Sequence, residues 1–324
     1  MAEPLIRVED LKIYYPVKSK NSIGTSVSYL RAVDGVSFDV YKGETFGIVG
    51  ESGCGKSTTG RAIVGLLKPT EGEIYFEGKP TKELGRSEMA RHLQIIFQDP
   101  YSSLDPRMTV GRCVCEPLNV HRVGTKAERK ERVLELMREV GLREDQVGRF
   151  PHEFSGGQRQ RIGVARALAL NPDVIVCDEP VSALDVSIQA QILNLMRELQ
   201  KKRNLTYIFI SHNLSVVKHL CDRIAVMYLG HIVELADKAD LFVNPSHPYT
   251  QALLAAIPVP DPDVPSMMGV LSGDVPSPLN PPAGCCFHTR CPYATEQCCS
   301  QAPELREIAP GHMVACHKFD EKKQ

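Results

Sequence analysis

Eight consecutive residues early in the chain are of the types that bind a phosphate group. They read Gly50-Glu51-Ser52-Gly53-Cys54-Gly55-Lys56-Ser57 and fit the pattern GxxxxGK[ST]. Glycines let the backbone curl until successive N–H groups face a phosphate, Lys56 adds a positive charge, and the Ser57 hydroxyl can ligate Mg²⁺. The alternative is a glycine turn that happens to precede a lysine. We predict nucleotide contacts at Gly50, Ser52, Gly53, Cys54, Gly55, Lys56, Ser57 and Thr58.

Two adjacent carboxylates, Asp178 and Glu179, follow an apolar run at residues 174–177. Side chains alternate along a strand, so the two carboxylates point in different directions and can have different roles. Asp178 suits the Mg²⁺ that a phosphate-loop serine also binds, and Glu179 is the candidate to orient or deprotonate an attacking water. An ordinary acidic turn before Pro180 is the alternative, and the neighbouring phosphate loop makes it the weaker one.

A parallel sheet would bring these residues together. Residues 46–49 form a short apolar run that stops at a glycine, and a helix is predicted over residues 56–67. Further apolar runs at residues 174–177 and 207–210 end in polar residues and are separated by helical stretches. The pattern predicts an α/β core with parallel strands.

Two further regions differ from this core. Residues 99–150 lack strand-like runs and contain an amphipathic segment at 126–140, which predicts an inserted helical subdomain that extends to about residue 165. Proline is frequent between residues 245 and 282, which indicates a linker into a small extension. We therefore divide the chain into a main domain at residues 1–236 and a C-terminal extension at residues 237–324.

Composition narrows the classes of function. The 38 Lys and Arg residues nearly balance the 39 Asp and Glu residues, so no basic excess points to nucleic acid. The first residues lack the apolar core of a signal peptide, and no apolar run of about 18 residues could cross a bilayer. We therefore expect a soluble chain that is not exported, for which any role at a membrane needs another subunit.

The segment Phe154-Ser155-Gly156-Gly157-Gln158-Arg159-Gln160-Arg161 resembles the signature of the ABC ATPase family. In that family the signature opens a helix whose N-terminus binds the γ-phosphate of ATP held by the opposite subunit. The resemblance implies that Ser155, Gly156, Gly157 and Gln158 contact nucleotide in trans. It also implies a P-loop NTPase fold with a parallel core sheet, an N-terminal antiparallel β subdomain, an inserted helical subdomain and a small Cys-rich C-terminal extension.

Four further residues resemble the family's functional positions by order and spacing. Gln98 matches the glutamine that contacts the metal and the attacking water and hinges the helical subdomain. Asp185 matches the loop that crosses the dimer interface, and His212 matches the histidine that reaches the γ-phosphate. Tyr15 resembles the aromatic residue that stacks on adenine, although Tyr14 competes and a packed strand tyrosine is a further alternative. The resemblance thus implies the catalytic residues Glu179, His212 and Gln98 and the Mg²⁺ site Ser57, Gln98 and Asp178.

Two longer strings resemble the ATPase subunits of dipeptide and oligopeptide permeases. They are QDPYSSLDPR at residues 98–107 and NPSHPYTQALL at residues 244–254. The resemblance implies two transmembrane permease subunits, an external solute-binding protein and a second ATPase subunit, identical or paralogous, of which we favour the paralogue. The chain would then lie at the cytoplasmic face of the cell membrane. The solute, a peptide or in related systems nickel, is implied by the family and not by any residue.

Six of the eleven cysteines fall between residues 285 and 316. In a chain without an export signal, a metal site explains them better than disulfides. The permease ATPases carry a C-terminal cysteine motif that Cys285, Cys291, Cys298 and Cys316 match, which implies a [4Fe-4S] cluster. Cys286 and Cys299 double two of these positions, so the ligand within each pair stays open. Zinc and the absence of any metal are the alternatives.

The family mechanism implies that two subunits hold two ATP molecules head to tail and that hydrolysis opens the clamp. A soluble ABC ATPase that acts in DNA repair or translation is one rival. Such proteins are expected to show two fused cassettes, a coiled-coil insertion or a basic face. A non-catalytic partner with a degenerate site is a second rival, and the intact Glu179, His212 and signature argue against it.

Overall fold

The structure, a computed structural model, describes residues 3–21, 24–257 and 273–320, so part of the predicted proline-rich linker lies outside the described residues. The strands in these ranges are β1 (Ile6–Asn21), β2 (Gly24–Val40), β3 (Thr45–Val49), β4 (Glu71–Phe76), β5 (Lys79–Pro80), β6 (Leu93–Ile96), β7 (Val174–Asp178), β8 (Thr206–Ser211), β9 (Arg223–Tyr228), β10 (His231–Asp237), β11 (Arg306–Ala309) and β12 (His312–Val314).

The helices in the same ranges are α1 (Lys56–Ile63), α2 (Arg86–His92), α3 (Val110–Val120), α4 (Lys126–Glu139), α5 (Gly156–Leu168), α6 (Val186–Arg203), α7 (Leu214–Leu220), α8 (Lys238–Val243), α9 (Pro248–Ala255) and α10 (Glu296–Ser300). None of these helices is both long enough and apolar enough to span a membrane.

The main sheet has eight strands in the order β11-β12-β10-β9-β3-β8-β7-β6. Strands β9, β3, β8, β7 and β6 run parallel to one another, and every residue of β3, β7 and β8 is buried. Burial on both faces explains why these strands read as continuous apolar runs rather than as alternating ones. The predicted α/β core with parallel strands is confirmed.

A second sheet, with the order β2-β1-β4-β5, is antiparallel throughout. Its inner face shares one hydrophobic core with the main sheet, in which Ile6, Val8 and Ile74 pack in the same cluster as Phe46 and Ile48. This arrangement confirms the predicted N-terminal antiparallel β subdomain and fixes β1 and β2 beside the loop that follows β3.

Helices α3, α4 and α5 lie between β6 and β7 in the chain, which confirms the predicted helical insertion. Capping boxes begin two of these helices. Thr125 and Glu128 exchange hydrogen bonds at the start of α4, and Ser155 and Gln158 do so at the start of α5. Each box satisfies N–H groups that have no partner within the helix.

The C-terminal extension adds strands to the main sheet. Strand β12 pairs with β10 through Glu234 opposite Val314 and Leu235 opposite Met313. The fully buried Glu234 carboxylate lies 2.7 Å from His312 Nε2 and accepts the N–H groups of Ser246 and His247. The boundary predicted at residue 236 therefore falls at the end of β10, where the extension joins the sheet.

Candidate functional site

The loop between β3 and α1 requires glycine at two positions. Gly50 and Gly55 have φ angles of 151° and 105°. A Cβ atom at Gly50 would lie 2.1 Å from the Met227 carbonyl oxygen, and one at Gly55 would lie 2.2 Å from the Ala32 carbonyl oxygen. Because glycine has no Cβ atom, the loop can curl tightly between β9 and β2 at these two places. It then continues directly into the first turn of α1.

Lys56 lies inside this curl. Its side chain is only 4% exposed, and its ammonium donates to the carbonyl oxygens of Gly50 and Glu51, each at 2.8 Å. Burial raises the pKa of the neighbouring Cys54 thiol, so Cys54 adds no negative charge at neutral pH. Lys56 therefore places a positive charge at the position where the sequence predicts phosphate binding.

Ser57 and Asp178 meet next to the loop. The Ser57 hydroxyl donates to Asp178 Oδ1 at 2.5 Å, and Arg61 Nη2 lies 3.7 Å from Asp178 Oδ2. Burial raises the pKa of Asp178, whose side chain is 1% exposed. A hydroxyl and a carboxylate at one place are the oxygen donors that Mg²⁺ prefers. Thr58, also a predicted contact, follows in the first turn of α1 and is half-buried.

Glu179 lies at the centre of a second group of side chains. Its backbone has a φ of 47°, which is strained for a residue other than glycine, and its N–H donates to the Ile210 carbonyl oxygen. Gln98 Nε2 donates to Glu179 Oε2 at 3.0 Å, and His212 Nδ1 lies 3.1 Å from the same oxygen. The structure thus brings the three predicted catalytic residues together, while Asp178 contacts Ser57.

The signature is exposed at its start and buried just after it. Ser155 is exposed and Gly157 is buried, and a Cβ on Gly157 would lie 2.4 Å from Ile188 Cγ2 of α6. Gly156 is half-buried, and Asp185 is exposed where α6 begins. Among the described residues, no hydrogen bond joins Ser155 or Gln158 to the phosphate loop.

The two candidate tyrosines of β1 have different surroundings. The Tyr14 hydroxyl donates to the Asp34 carboxylate, and burial together with this contact raises the pKa of Tyr14 to about 12. Tyr15 is 39% exposed. Tyr14 is thus engaged within the protein, and Tyr15 offers an open ring face, which favours it as the stacking residue.

Four of the cysteines in the extension line one cavity of about 280 Å³. They are the four that match the family motif, Cys285, Cys291, Cys298 and Cys316. Burial, followed by the neighbouring thiols, raises the pKa of Cys285 to about 11. The doubled residues lie elsewhere, since Cys286 faces the Tyr228 carbonyl and Cys299 is exposed. Within the described ranges, no three His, Cys, Asp or Glu side chains are grouped closely enough to hold one metal ion.

Three contacts to Glu51 were not predicted from the sequence. Its backbone N–H donates to the Tyr249 hydroxyl at 2.9 Å, and its carboxylate accepts two hydrogen bonds from Arg290, at 2.8 Å and 3.2 Å. The partners are 198 and 239 residues away in the chain. No local pattern signals pairs so distant, and only the fold of the extension brings them to the loop.

Comparisons with known proteins agree with this geometry. The family model described as "ABC transporter" matches residues 33–182, and the one described as "Oligopeptide/dipeptide transporter, C-terminal region" matches residues 233–298. The chain is 55% identical to the oligopeptide transport ATP-binding protein AppF of Bacillus subtilis strain 168, over 98% of each chain. It is 50% identical to the oligopeptide transport ATP-binding protein OppF of Escherichia coli K12, over 98% of this chain and 96% of that one.

Solved structures show the same fold. The dimeric, post-hydrolysis structure of the ATP-binding cassette MJ0796 with ADP and phosphate superposes with a TM-score of 0.63 at 29% identity, and covers 72% of this chain and 98% of that one. The cbiO1 protein of Clostridium perfringens, part of the transporter complex cbiONQ, gives a TM-score of 0.63 at 28% identity, over 75% and 92% of the two chains.

Proposed function

This chain belongs to the ATP-binding subunits of ABC transporters, and from that membership we propose that it hydrolyses ATP to power the import of dipeptides or oligopeptides. The main observation in support is that two groups of side chains lie at the ends of the parallel strands. One group is Ser57 and Asp178, and the other is Glu179, Gln98 and His212. The first group has the chemistry to hold Mg²⁺ and phosphate, and the second has the chemistry to activate water. The peptide class is supported by the match of residues 233–298 and by the names of the relatives.

Each residue of the site has a definable role in this proposal. The loop N–H groups and Lys56 bind the β- and γ-phosphates, and Ser57 and Asp178, with Gln98, hold Mg²⁺. When bound, Mg²⁺ neutralises negative charge on the phosphates. Glu179 accepts a proton from the attacking water or orients it, and the exposed His212 reaches the γ-phosphate.

The second half of the site comes from another subunit in this proposal. Ser155 is exposed at the N-terminus of α5, where the helix dipole favours an anion. A head-to-tail partner would place its own signature over the phosphate loop of this chain, and Asp185 would lie at that interface. The dimeric form of a structural neighbour supports this arrangement. The partner is a paralogous or identical ATPase subunit.

The proposed assembly also contains two transmembrane permease subunits, with a solute-binding protein outside, and this chain lies on the cytoplasmic face. The test is reconstitution of the chain with its permease subunits in liposomes. ATP hydrolysis should rise when the binding protein loaded with a dipeptide or oligopeptide is added, and labelled peptide should accumulate. Stimulation of ATP hydrolysis by nickel alone would instead indicate that the solute is a metal ion and not a peptide. Failure to recover permease subunits with this chain from membranes would favour the non-transport rival.

We further propose that the cysteine cavity holds a [4Fe-4S] cluster. The support is the gathering of Cys285, Cys291, Cys298 and Cys316 around one space, because four thiolates are the ligands of such clusters. Burial raises the pKa of the Cys285, Cys291 and Cys316 thiols, which a bound cationic centre would offset by stabilising the thiolates. The cluster would have a structural or regulatory role, since phosphoryl transfer needs no redox centre.

Iron content tests the cluster directly. Protein purified without oxygen should contain iron and show a broad visible absorption band. Cys291→Ser should lose both, and Cys299→Ser, a matched change at an exposed thiol, should retain them. Protein that contains stoichiometric zinc and no iron would show that the cavity is a zinc site. Colourless protein free of both metals would refute any metal site there.

A further inference from the structure

Arg290 forms a partly buried ion pair with Glu51 of the phosphate loop. Its side chain is 5% exposed, and its two terminal nitrogens each donate to one oxygen of the Glu51 carboxylate, at 2.8 Å and 3.2 Å. The Tyr228 hydroxyl lies 3.5 Å from the same guanidinium. A two-bond pair of this kind fixes direction as well as distance, which a lysine could not do. Arg290 therefore determines where the Glu51 side chain lies.

Glu51 is held at its backbone as well as at its side chain. Its N–H donates to the Tyr249 hydroxyl at 2.9 Å, and its carbonyl oxygen accepts from Lys56 Nζ at 2.8 Å. Glu51 follows Gly50, and both its neighbours in the loop pattern are small or flexible residues. The contacts from Tyr249 and Arg290 therefore add anchors from outside the loop to the one that Lys56 provides within it.

Both anchoring residues lie against the wall of the cysteine cavity. Phe287 and Cys291, which line that cavity, flank the 3₁₀ turn His288–Arg290. The Phe287 ring packs edge-on against Tyr228 at 5.2 Å and lies 5.5 Å from the Tyr249 ring. The aromatic cluster and Arg290 thus form one continuous contact between the extension and the phosphate loop.

Charge gives this contact a functional consequence. The Glu51 carboxylate lies in the loop that would bind the triphosphate, and an unpaired negative charge there would repel it. Arg290 neutralises this charge. We propose that Arg290 and Tyr249 are positioning residues for the phosphate loop, through which the C-terminal extension sets the affinity of the site for ATP. The inference rests on the proposed ATP site but not on the identity of the imported solute.

The test uses the full chain and measures the Kd for ATP and for ADP. Arg290→Met, which keeps the length of the side chain but not its charge, should weaken binding of both nucleotides by about tenfold, or about 1.4 kcal/mol. In the complete transporter the KM for ATP should rise while kcat changes by less than about twofold, because the lost interaction acts on binding. Arg306→Met is the matched control, since Arg306 forms exposed ion pairs in the same extension.

A second substitution separates charge from folding. Adding Glu51→Gln to Arg290→Met removes the unpaired carboxylate, so ATP affinity should recover to within about threefold of the original. A merely structural role for Arg290 predicts no such recovery. Tyr249→Phe keeps the ring packing and removes only the hydroxyl, so it should weaken ATP binding with little change in Tm.

Two results would overturn the inference. One is an unchanged Kd in folded Arg290→Met and Tyr249→Phe proteins. The other is an Arg290→Met protein whose weakened ATP binding is not restored when Glu51→Gln is added. If the unaltered chain itself failed to bind ATP, the proposed function would fail first, so the two failures are distinguishable. Should Arg290→Met not fold, Arg290→Lys replaces it in the test. This change keeps the charge but not the two-bond geometry, so its affinity for ATP should lie between that of the unaltered chain and the tenfold weaker value.

Discussion

At the scale of single residues, Glu179 allows the sharpest prediction. Its carboxylate contacts Gln98 and His212, while Ser57 contacts Asp178, so we expect Glu179 to act on water rather than to bind phosphate. Glu179→Gln should leave ATP affinity unchanged and lower turnover by about 10²- to 10⁴-fold. Binding of radiolabelled ATP measures the affinity, and phosphate release measures the turnover. Glu131→Gln, a change at an exposed residue, is the control. Full turnover in Glu179→Gln would remove Glu179 from the mechanism.

Asp178 should show a conflict between stability and function. Because burial raises its folded pKa above the unfolded value, the carboxyl stabilises the fold at low pH, and that stabilisation is lost as pH rises through the folded pKa. Above its folded pKa the ionised group therefore costs stability, and in that pH range Asp178→Asn should raise the Tm of the nucleotide-free protein. The same change should remove the further stabilisation that Mg²⁺-ATP gives, which is about 2.7 kcal/mol at an ATP concentration of 100 times Kd and is seen as a rise in Tm. A melting series with and without Mg²⁺-ATP, repeated at pH 5, measures both effects.

The sequence predicted the residues of this site that act through local chemistry, and it missed those that act across the fold. The phosphate loop and the two carboxylates could be predicted because a buried strand precedes each of them. The contacts of Glu51 with Tyr249 and Arg290 could not, because an isolated arginine beside a cysteine motif has no periodicity or spacing that points to a partner. The left-handed backbone of Glu179 was equally hidden, since glycine is the usual residue at such an angle.

At the scale of elements, the two capping boxes provide a matched experiment. Ser155 begins α5 and Thr125 begins α4, and each accepts a hydrogen bond from the N–H three residues later. Ser155→Ala and Thr125→Ala should each lower the free energy of unfolding by about 1 kcal/mol, because each removes one cap. Only Ser155→Ala should also reduce ATP-dependent association and turnover, since in the proposed dimer α5, and not α4, faces the nucleotide of the second subunit. Equal turnover in the two variants would show that the signature hydroxyl acts only as a cap.

Element prediction from the sequence depended on length and burial. Strands β3, β7 and β8 and the helical insertion could be recognised because they are long enough to carry a hydrophobic pattern. Strands β11 and β12 have four and three residues, and the sequence gives them no pattern to detect. Their place beside β10 arises from the fully buried Glu234, which binds His312 and the N–H groups of residues 246 and 247. A lone buried carboxylate of this kind cannot be recognised without its partners.

At the scale of the whole molecule, the proposed function requires a second ATPase subunit. The groups that would close over ATP from the other side, Ser155 and the start of α5, make no hydrogen bond with the phosphate loop of their own chain among the described residues. The ATPase rate per chain should therefore approach zero on dilution to the monomer, and should rise with the concentration of this chain or of an added ATPase partner. Light scattering of the same samples gives the mass at each concentration.

Complementation between inactive chains tests the trans arrangement further. Lys56→Ala removes the phosphate-loop charge, and Ser155→Ala weakens the signature, so each variant homodimer has two impaired sites. In a two-fold symmetric pair, a mixed dimer recovers one intact site of two, and an equal mixture should regain about a quarter of the original rate. If this chain pairs only with a paralogue, recovery appears when the Ser155→Ala change is moved to that partner and combined with Lys56→Ala here. A monomer that hydrolyses ATP at the full rate would contradict both experiments, because one polypeptide would then be sufficient to enclose the nucleotide.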